Sequence, residues 1–322
     1  MTGESDMDFI NKQNAHIFLM LNAFLWGSSY VFSKIMLIYI PRFFILFLCS
    51  LGALFCMSVI YIKLNRRYNL SLINIAMCAL ATLISIASNT FCMLALEKTT
   101  TSNAAFIVQT SVIFTPVVSA VTEKKKIRGT NIAAGLISLI GLFVLICDLD
   151  TFSFKTGDIF ALGNALFFTF YLVAQNIVLK RVDPLDFSII FHLLNTIVFM
   201  VLFGTTERNY INVNLLGNPV LLPLVLMSIF ITIFTVLAQG KALKYINPEK
   251  ANIIYTLEPV AAMVLAFILI GEKPDGIRTI IGSLIILGSV MYSVKGDSLK
   301  NMFEQFIFLA NQIYKVRKIN FR

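Results

Sequence analysis

In the stretch YTLEPVAAMVLAFILIGE, Tyr255 to Glu272, a single carboxylate within an apolar run, Glu258, is followed directly by Pro259. An acidic side chain at the centre of a membrane-length helix costs about 2.5–3.5 kcal/mol. The chemistry open to it is reversible protonation. Pro259 removes a backbone donor, frees the carbonyl of Tyr255 and bends the helix there. A freed carbonyl beside an acid is tolerated where the helix faces protein or water. Glu258 sits roughly 8–13 Å along its helix from the nearer end, at about 1.5 Å per residue. His192 lies at similar depth, about six residues beyond Asp186. The pair predicts that Glu258 gains and loses a proton, with His192 as hydrogen-bond partner or relay. The plainer alternatives are a packing carboxyl at a kink and a neutral histidine satisfied among helices.

Other polar residues fall in stripes at helical spacing. Ser228, Thr232, Thr235 and Gln239 form one, and Asn164, Tyr171 and Gln175 another. Thr82, Ser85, Ser88 and Asn89 lie together, as do Trp26, Ser29, Ser33 and Lys34. Asn103 with Gln109, and Ser188 with His192 and Asn195, complete the set. A lone stripe reads as hydrogen bonding between helices. Stripes on several helices predict a shared polar cavity. Its candidate residues are Trp26, Asn89, Gln109, Tyr171, Gln175, His192, Gln239, Tyr255 and Glu258.

The elements that must hold these residues are apolar runs of spanning length. Of 322 residues, 58% are hydrophobic and 13% charged, too little charge to cover a soluble domain of this size. Spans are expected at 16–38, 42–62, 72–94, 102–122, 130–147, 157–179, 186–204, 219–239, 250–270 and 277–294. A β-barrel would show short alternating segments instead. The second, fifth and tenth runs are poorest in large polar side chains and are expected at the periphery. Lys34, near the end of its span, is expected to snorkel to the interface.

The net charge of +9 is spread over short loops and the C-terminal segment, which suits an anionic membrane surface rather than nucleic acid. With the N-terminus in the cytoplasm, nineteen Lys and Arg residues fall inside and six outside, with Lys34 inside a span. Both termini are therefore expected in the cytoplasm. Residues 1–15 form a polar segment without the features of a cleaved leader. In residues 295–322, Leu299, Met302, Phe303, Phe306 and Ile313 make an apolar helical face followed by Lys315, Arg317 and Lys318. That pattern predicts a basic amphipathic helix on the inner leaflet. The five cysteines stand singly and read as packing residues.

Sliding the chain along itself reveals a repeat. At an offset of 142, Ile17-Phe18 meets Ile159-Phe160 and Asn22-Ala23 meets Asn164-Ala165. At 147, Gly129, Gly135 and Gly141 meet Gly276, Gly282 and Gly288. Each half holds five spans, an odd number, so the second must cross in the opposite sense. The expected organisation is an all-α membrane protein of ten helices in two inverted five-helix repeats, 16–147 and 157–294.

FLWGSSYVFSK in the first span, and LEPVAAMVLAFILIGEKP followed by IIGSLIILGSVMY near the end, resemble the EamA family of the drug/metabolite transporter superfamily. The resemblance covers about residues 16–294. It implies a secondary transporter, often an exporter of amino acids or other small metabolites, with a central cavity between inverted halves. Glu272 then has a structural role at a helix end. The first half departs from the pattern: Ser111 aligns with Glu258, Pro116 with Met263 and Lys125 with Glu272. Any ion coupling then rests on the second half.

The combined expectation is a secondary exporter of the cell (inner) membrane, coupled to protons, with a small molecule and the lipid bilayer as partners. No cofactor and no nucleic acid are expected, and a homodimer stays open. An uncoupled facilitator or a multidrug exporter of the same fold is the alternative. With two histidines, no HExxH and no activated nucleophile arrangement, the chain does not read as an enzyme.

Overall fold

A computed structural model describes residues 10–66, 70–124, 126, 129–146, 155–208, 218–271 and 276–294. The expected tail helix, Glu272 and Cys147 lie outside them. The described residues form helices α1 (Ala15–Met36), α2 (Arg42–Lys63), α3 (Leu72–Lys98), α4 (Thr101–Val108), α5 (Ser111–Glu123) and α6 (Gly129–Ile146). These are followed by α7 (Thr156–Val178), α8 (Pro184–Thr206), α9 (Leu221–Ala242), α10 (Pro248–Tyr255), α11 (Glu258–Ile270) and α12 (Gly276–Val294). No strand occurs among the described residues.

Six of these helices, and the joined pairs α4–α5 and α10–α11, are long and apolar enough to cross a membrane. The fifth and tenth expected spans appear as shorter apolar stretches, Gly129–Val144 and Ile280–Ser293. Burial runs opposite to that of a soluble protein. Leu72 is 84% exposed and Ile277 73%, while Gln109, Gln175, His192 and Gln239 are wholly buried. Apolar surface outside and polar groups inside define a multi-pass membrane protein.

The two halves match element by element. Adding 147 to α4 (101–108) gives α10 (248–255), and adding it to α5 (111–123) gives α11 (258–270). The caps match too. The Thr100 side chain accepts the N–H of Asn103 at 3.2 Å, and Asn247 accepts that of Lys250 at 3.1 Å. At the other end Lys124 (φ 53°) corresponds to Gly271 (φ 69°), both left-handed C-caps. Packing follows the same exchange. α1 packs on α9 and α11 as α7 packs on α3 and α5, while α2 lies on α8 and α6 on α12.

Spans four and nine are both broken, the ninth at the kink expected beside Pro259 and the fourth where a continuous helix was expected. At Gln109–Thr110 the amides turn back to the third residue before them, Phe106 and Ile107, at 3.0 and 3.1 Å. Thr256 and Leu257 do the same to Ile253 and Ile254 at 3.2 and 3.1 Å. Pro259 accounts for the second break, because it leaves Tyr255 without a helical donor. It cannot account for the first, since Pro116 lies well inside α5. At both breaks a threonine hydroxyl, Thr110 or Thr256, donates to the carbonyl three residues earlier, at 2.7 and 2.6 Å. That side-chain bond competes with the helical ladder at each turn.

Peripheral placement fits α6 and α12, which pack chiefly on each other. A Cβ on Gly141 would lie 3.0 Å from Gly282 O, so this glycine permits the close approach. It does not fit α2, which brings Ile45, Leu46, Cys49 and Ser50 to a central cavity. The small polar residues that do this carry a weaker signal than the large ones counted in the sequence.

Each end of the bundle carries ion pairs. At one, Arg42 pairs with Glu97 and, at 3.3 Å, with Glu207, whose other oxygen accepts the N–H of Phe43 at 2.9 Å. Burial pushes the Glu207 carboxyl above its ordinary range, against the pull of Phe43 N–H and Arg42. Lys34 does not snorkel. Its Nζ donates to the carbonyls of Leu96 and, at 2.9 Å, Thr99, closing the C-terminus of α3. At the opposite end Lys180 pairs with Glu123, and Lys244 with Asp183 at 3.7 Å.

Candidate functional site

A cavity of about 190 Å³ lies between α1, α2, α3, α7, α8 and α9, with Glu258 of α11 in its lining. Its lining comes from the last part of α1 (Trp26, Ser29, Tyr30, Ser33), the first third of α2 and the later part of α3 (Ser85, Ser88, Asn89). These segments all lie toward the Arg42 end of their helices. The cavity therefore extends from the middle of the bundle toward that end.

The polar stripes account for most of the polar part of the wall. Asn164 and Tyr171 of α7, Asn195 of α8, and Ser228, Thr232 and Thr235 of α9 face the space. Ser88 donates to Asn164 Oδ1 at 2.7 Å, fixing two of these side chains. Of the candidate residues, Trp26, Asn89, Tyr171 and Glu258 line this space.

The floor is aromatic. Trp26 stands 5.5 Å from Phe168 and 5.0 Å from Tyr255, centroid to centroid. Beyond it a chain of hydrogen bonds crosses the bundle. Asn22 donates to the Tyr255 hydroxyl at 3.1 Å, Tyr255 donates to Gln239 Oε1 at 2.8 Å, and Gln239 donates to Gln175. All four side chains are buried, and they come from α1, α10, α9 and α7. Gln175, Gln239 and Tyr255, all of the second half, are thus joined to Asn22 of the first as a polar bolt rather than forming cavity wall. A buried chain of this kind is strong only while complete.

Glu258 is the first residue of α11 and 2% exposed. Its Oε2 accepts from Gln109 Nε2 at 3.0 Å, and its Oε1 has no protein partner. Gln109 occupies the break of α4–α5, so this bond ties one broken helix to the other. The N-terminus of α11 also favours a carboxylate there. α1 can come this close because residue 27 is glycine. A Cβ at that position would meet Glu258 O at 2.6 Å and Ala261 Cβ at 2.7 Å.

The partner expected for Glu258 was His192, and it is not. His192 is wholly buried, with both ring nitrogens unpartnered, and its ring meets Phe191 edge-on at 5.2 Å. Depth counted in residues places His192 and Glu258 at one level, but it says nothing of direction. α8 packs on α2 and α3, whereas α11 packs on α1 and α4.

Several participants had weak sequence signals. Tyr30 and Phe168 look like ordinary apolar-run aromatics, and Asn22 is marked only by its repeat partner Asn164. A second polar centre was also missed. Asn252 donates to Ser111 at 3.1 Å and to Thr115 at 2.6 Å. Ser111 is the repeat counterpart of Glu258 (111 + 147 = 258), so the two halves carry a neutral and an acidic version of one position.

The fold and cavity define a helical membrane protein built on a repeat. The EamA-like transporter family model matches twice, over residues 13–147 and 155–294, and the chain belongs to that family. It is 24% identical to an uncharacterized transporter of Clostridium kluyveri, over 87% of this chain and 93% of the relative. It is likewise 24% identical to an uncharacterized transporter of Archaeoglobus fulgidus, over 88% of this chain and 99% of that one. A protein of known crystal structure, 16% identical, superposes with a TM-score of 0.73 over 88% of this chain and 99% of its own, which shows the fold alone.

Proposed function

We propose that this chain is a secondary active transporter that exports small metabolites, amino acids or related compounds, across the cell membrane in exchange for protons. Its ten spans form two inverted five-helix repeats, 16–147 and 157–294, with the broken pairs α4–α5 and α10–α11 each counted once. Five spans per half require the inversion. The excess of Lys and Arg on one side, nineteen against six, places both termini in the cytoplasm. The Arg42 end then faces outward.

The observation that carries this reading is the Gln109–Glu258 bond at 3.0 Å, joining two helix breaks at the wall of the central cavity. Broken helices beside a buried ionisable group are a recurring design for binding sites near the bilayer midplane. In the outward-open arrangement Glu258 takes a proton from the cavity while the Asn22–Tyr255–Gln239–Gln175 chain closes the cytoplasmic side. A protonated Glu258 carries no charge to hold in the bundle, so the halves rock and the bolt parts. The proton then leaves inward and substrate takes its place. Return with substrate completes the exchange.

The test is Glu258→Gln in proteoliposomes. It abolishes proton-driven accumulation and leaves downhill exchange of substrate at saturating concentration. Full gradient-driven transport by the variant removes Glu258 from the coupling and favours an uncoupled facilitator.

A further inference from the structure

We propose that the cavity selects small organic monocations, amines bearing an aromatic or apolar body, over amino acids, neutral analogues and anions. The proposal rests on the transporter reading above and narrows its substrate class.

Among the described residues that line the cavity, Glu258 is the one charged side chain, and no Lys, Arg or His joins it. Lys34, on the helix that supplies Ser33 to the wall, donates to the Leu96 and Thr99 carbonyls. The site thus offers one acid, which becomes a negative charge when it loses its proton, and no basic side chain. Glu258 is 2% exposed, receives one neutral donor from Gln109, and leaves Oε1 unpartnered. A buried carboxylate in that state lacks a cation to complete it, and an ammonium group supplies both charge and N–H donors.

The surroundings fit the rest of such a molecule. Trp26, Tyr30, Phe168 and Tyr171 present ring faces and edges to the space. Aromatic rings attract a cation within about 6 Å of the centroid. A cavity of roughly 150 Å³ holds a benzene ring, so the ≈ 190 Å³ here admits a ring with a short aminoalkyl arm. An amino acid of equal size adds a carboxylate for which the wall holds no counter-charge. The start of α5 does not serve it, because Ser111 is bonded to Asn252 and is not part of the lining. An anionic ligand meets Glu258 directly and is repelled.

Trp26 is the sole tryptophan of the chain and lines the cavity, so its fluorescence reports occupancy without any transport step. The full chain in lipid nanodiscs is titrated with phenethylamine, phenylalanine, 2-phenylethanol and 3-phenylpropionate, which share one ring. The expected result is saturable binding of phenethylamine at least tenfold tighter than that of the other three. Glu258→Gln loses that preference and binds amine and alcohol alike, while Glu258→Asp keeps it. Equal binding of alcohol and amine by the wild type, no saturable response to amine, or an amine preference that survives Glu258→Gln each overturns the proposal. Should Glu258→Gln not fold, the wild-type series still decides. Proton-driven flux measured separately keeps the two readings apart: flux without amine preference sinks only the substrate class, and amine binding without flux sinks only the transport reading.

Discussion

Gln109 and Glu258 come from different halves of the chain, each at a point where its helix breaks, and they meet through one 3.0 Å hydrogen bond. The geometry makes the bond a strut between the repeats. Any motion that separates the halves at this level must break it, and any change in the charge of Glu258 alters its strength. Hydrogen bonds to a charged group contribute about 1.5–3 kcal/mol, against about 0.5–1.5 for neutral pairs.

Gln109→Leu removes the donor and leaves both carboxylate oxygens of Glu258 without a protein partner. Proton-driven flux falls by about tenfold or more, and thermal stability falls by about 1.5–3 kcal/mol. Gln109→Asn, which keeps the amide but shortens its reach, lies between. Flux in proteoliposomes and melting in detergent check the order. A Leu variant with wild-type flux would show that the strut is incidental.

Gly27→Ala tests the approach of α1 to α11. The added Cβ would stand 2.6 Å from Glu258 O and 3.0 Å from the Ala262 nitrogen, and neither backbone atom can swing aside. Overpacking of this kind costs about 1–3 kcal/mol. Gly288→Ala in α12 is the control, because nothing lies within 4 Å of its added Cβ. The first variant melts lower and loses transport, and the second matches the wild type in both.

The sequence carried the apolar helices, the repeat and much of the polar cavity wall, because each of these rests on periodicity. Apolar runs give helices, glycine spacing gives the 147-residue offset, and i, i+4 stripes give faces such as Ser228–Thr232–Thr235. What periodicity cannot give is which face meets which. His192 and Glu258 share a depth but not a direction, so they stay apart. Gln109 was visible as a candidate, yet its bond to Glu258 depends on how two halves 149 residues apart fold together. The break at Gln109–Thr110 was hidden for another reason: no proline marks it, and the Thr110 hydroxyl that bonds back to Ile107 there has no distinctive signature in sequence.

Tyr255→Phe tests the polar bolt. It keeps the ring against Trp26 and removes the bonds to Asn22 and Gln239, two neutral bonds worth about 1–3 kcal/mol together. In a cysteine-free background with Ser29→Cys in the cavity wall, labelling from the Asp183 side rises at least fivefold. Labelling from the Arg42 side falls as that arrangement loses population. Unchanged labelling from both sides would mean that the hydroxyl chain only fills space.

Arg42→Met tests the ion cluster at the other end. The raised carboxyl of Glu207 means that its protonated form is favoured by folding. Its contribution is full in acid and is lost as pH rises through the folded value. Arg42 opposes that rise, so its removal pushes Glu207 higher still. The stability gap between wild type and variant is widest where Glu207 is ionised and narrows as pH falls and Glu207 becomes protonated in both. Melting curves measured across pH decide it; a gap independent of pH would place the loss in packing instead.

Topology is the last test. The nineteen-to-six bias predicts that the α2–α3 connection faces the cytoplasm and the start of α7 faces out. Lys63 and Lys155 are exposed at the two places, so each accepts a cysteine with little structural cost. In intact cells an impermeant thiol reagent labels Lys155→Cys and leaves Lys63→Cys untouched until the membrane is opened. The same ends carry the Arg42 and Asp183 clusters, so the result also fixes the side on which the cavity opens. Labelling of both positions from outside would break the odd-span argument, and with it the inversion of the second repeat. Labelling of Lys63→Cys alone would keep the inversion and reverse the whole molecule, turning the cavity toward the cytoplasm.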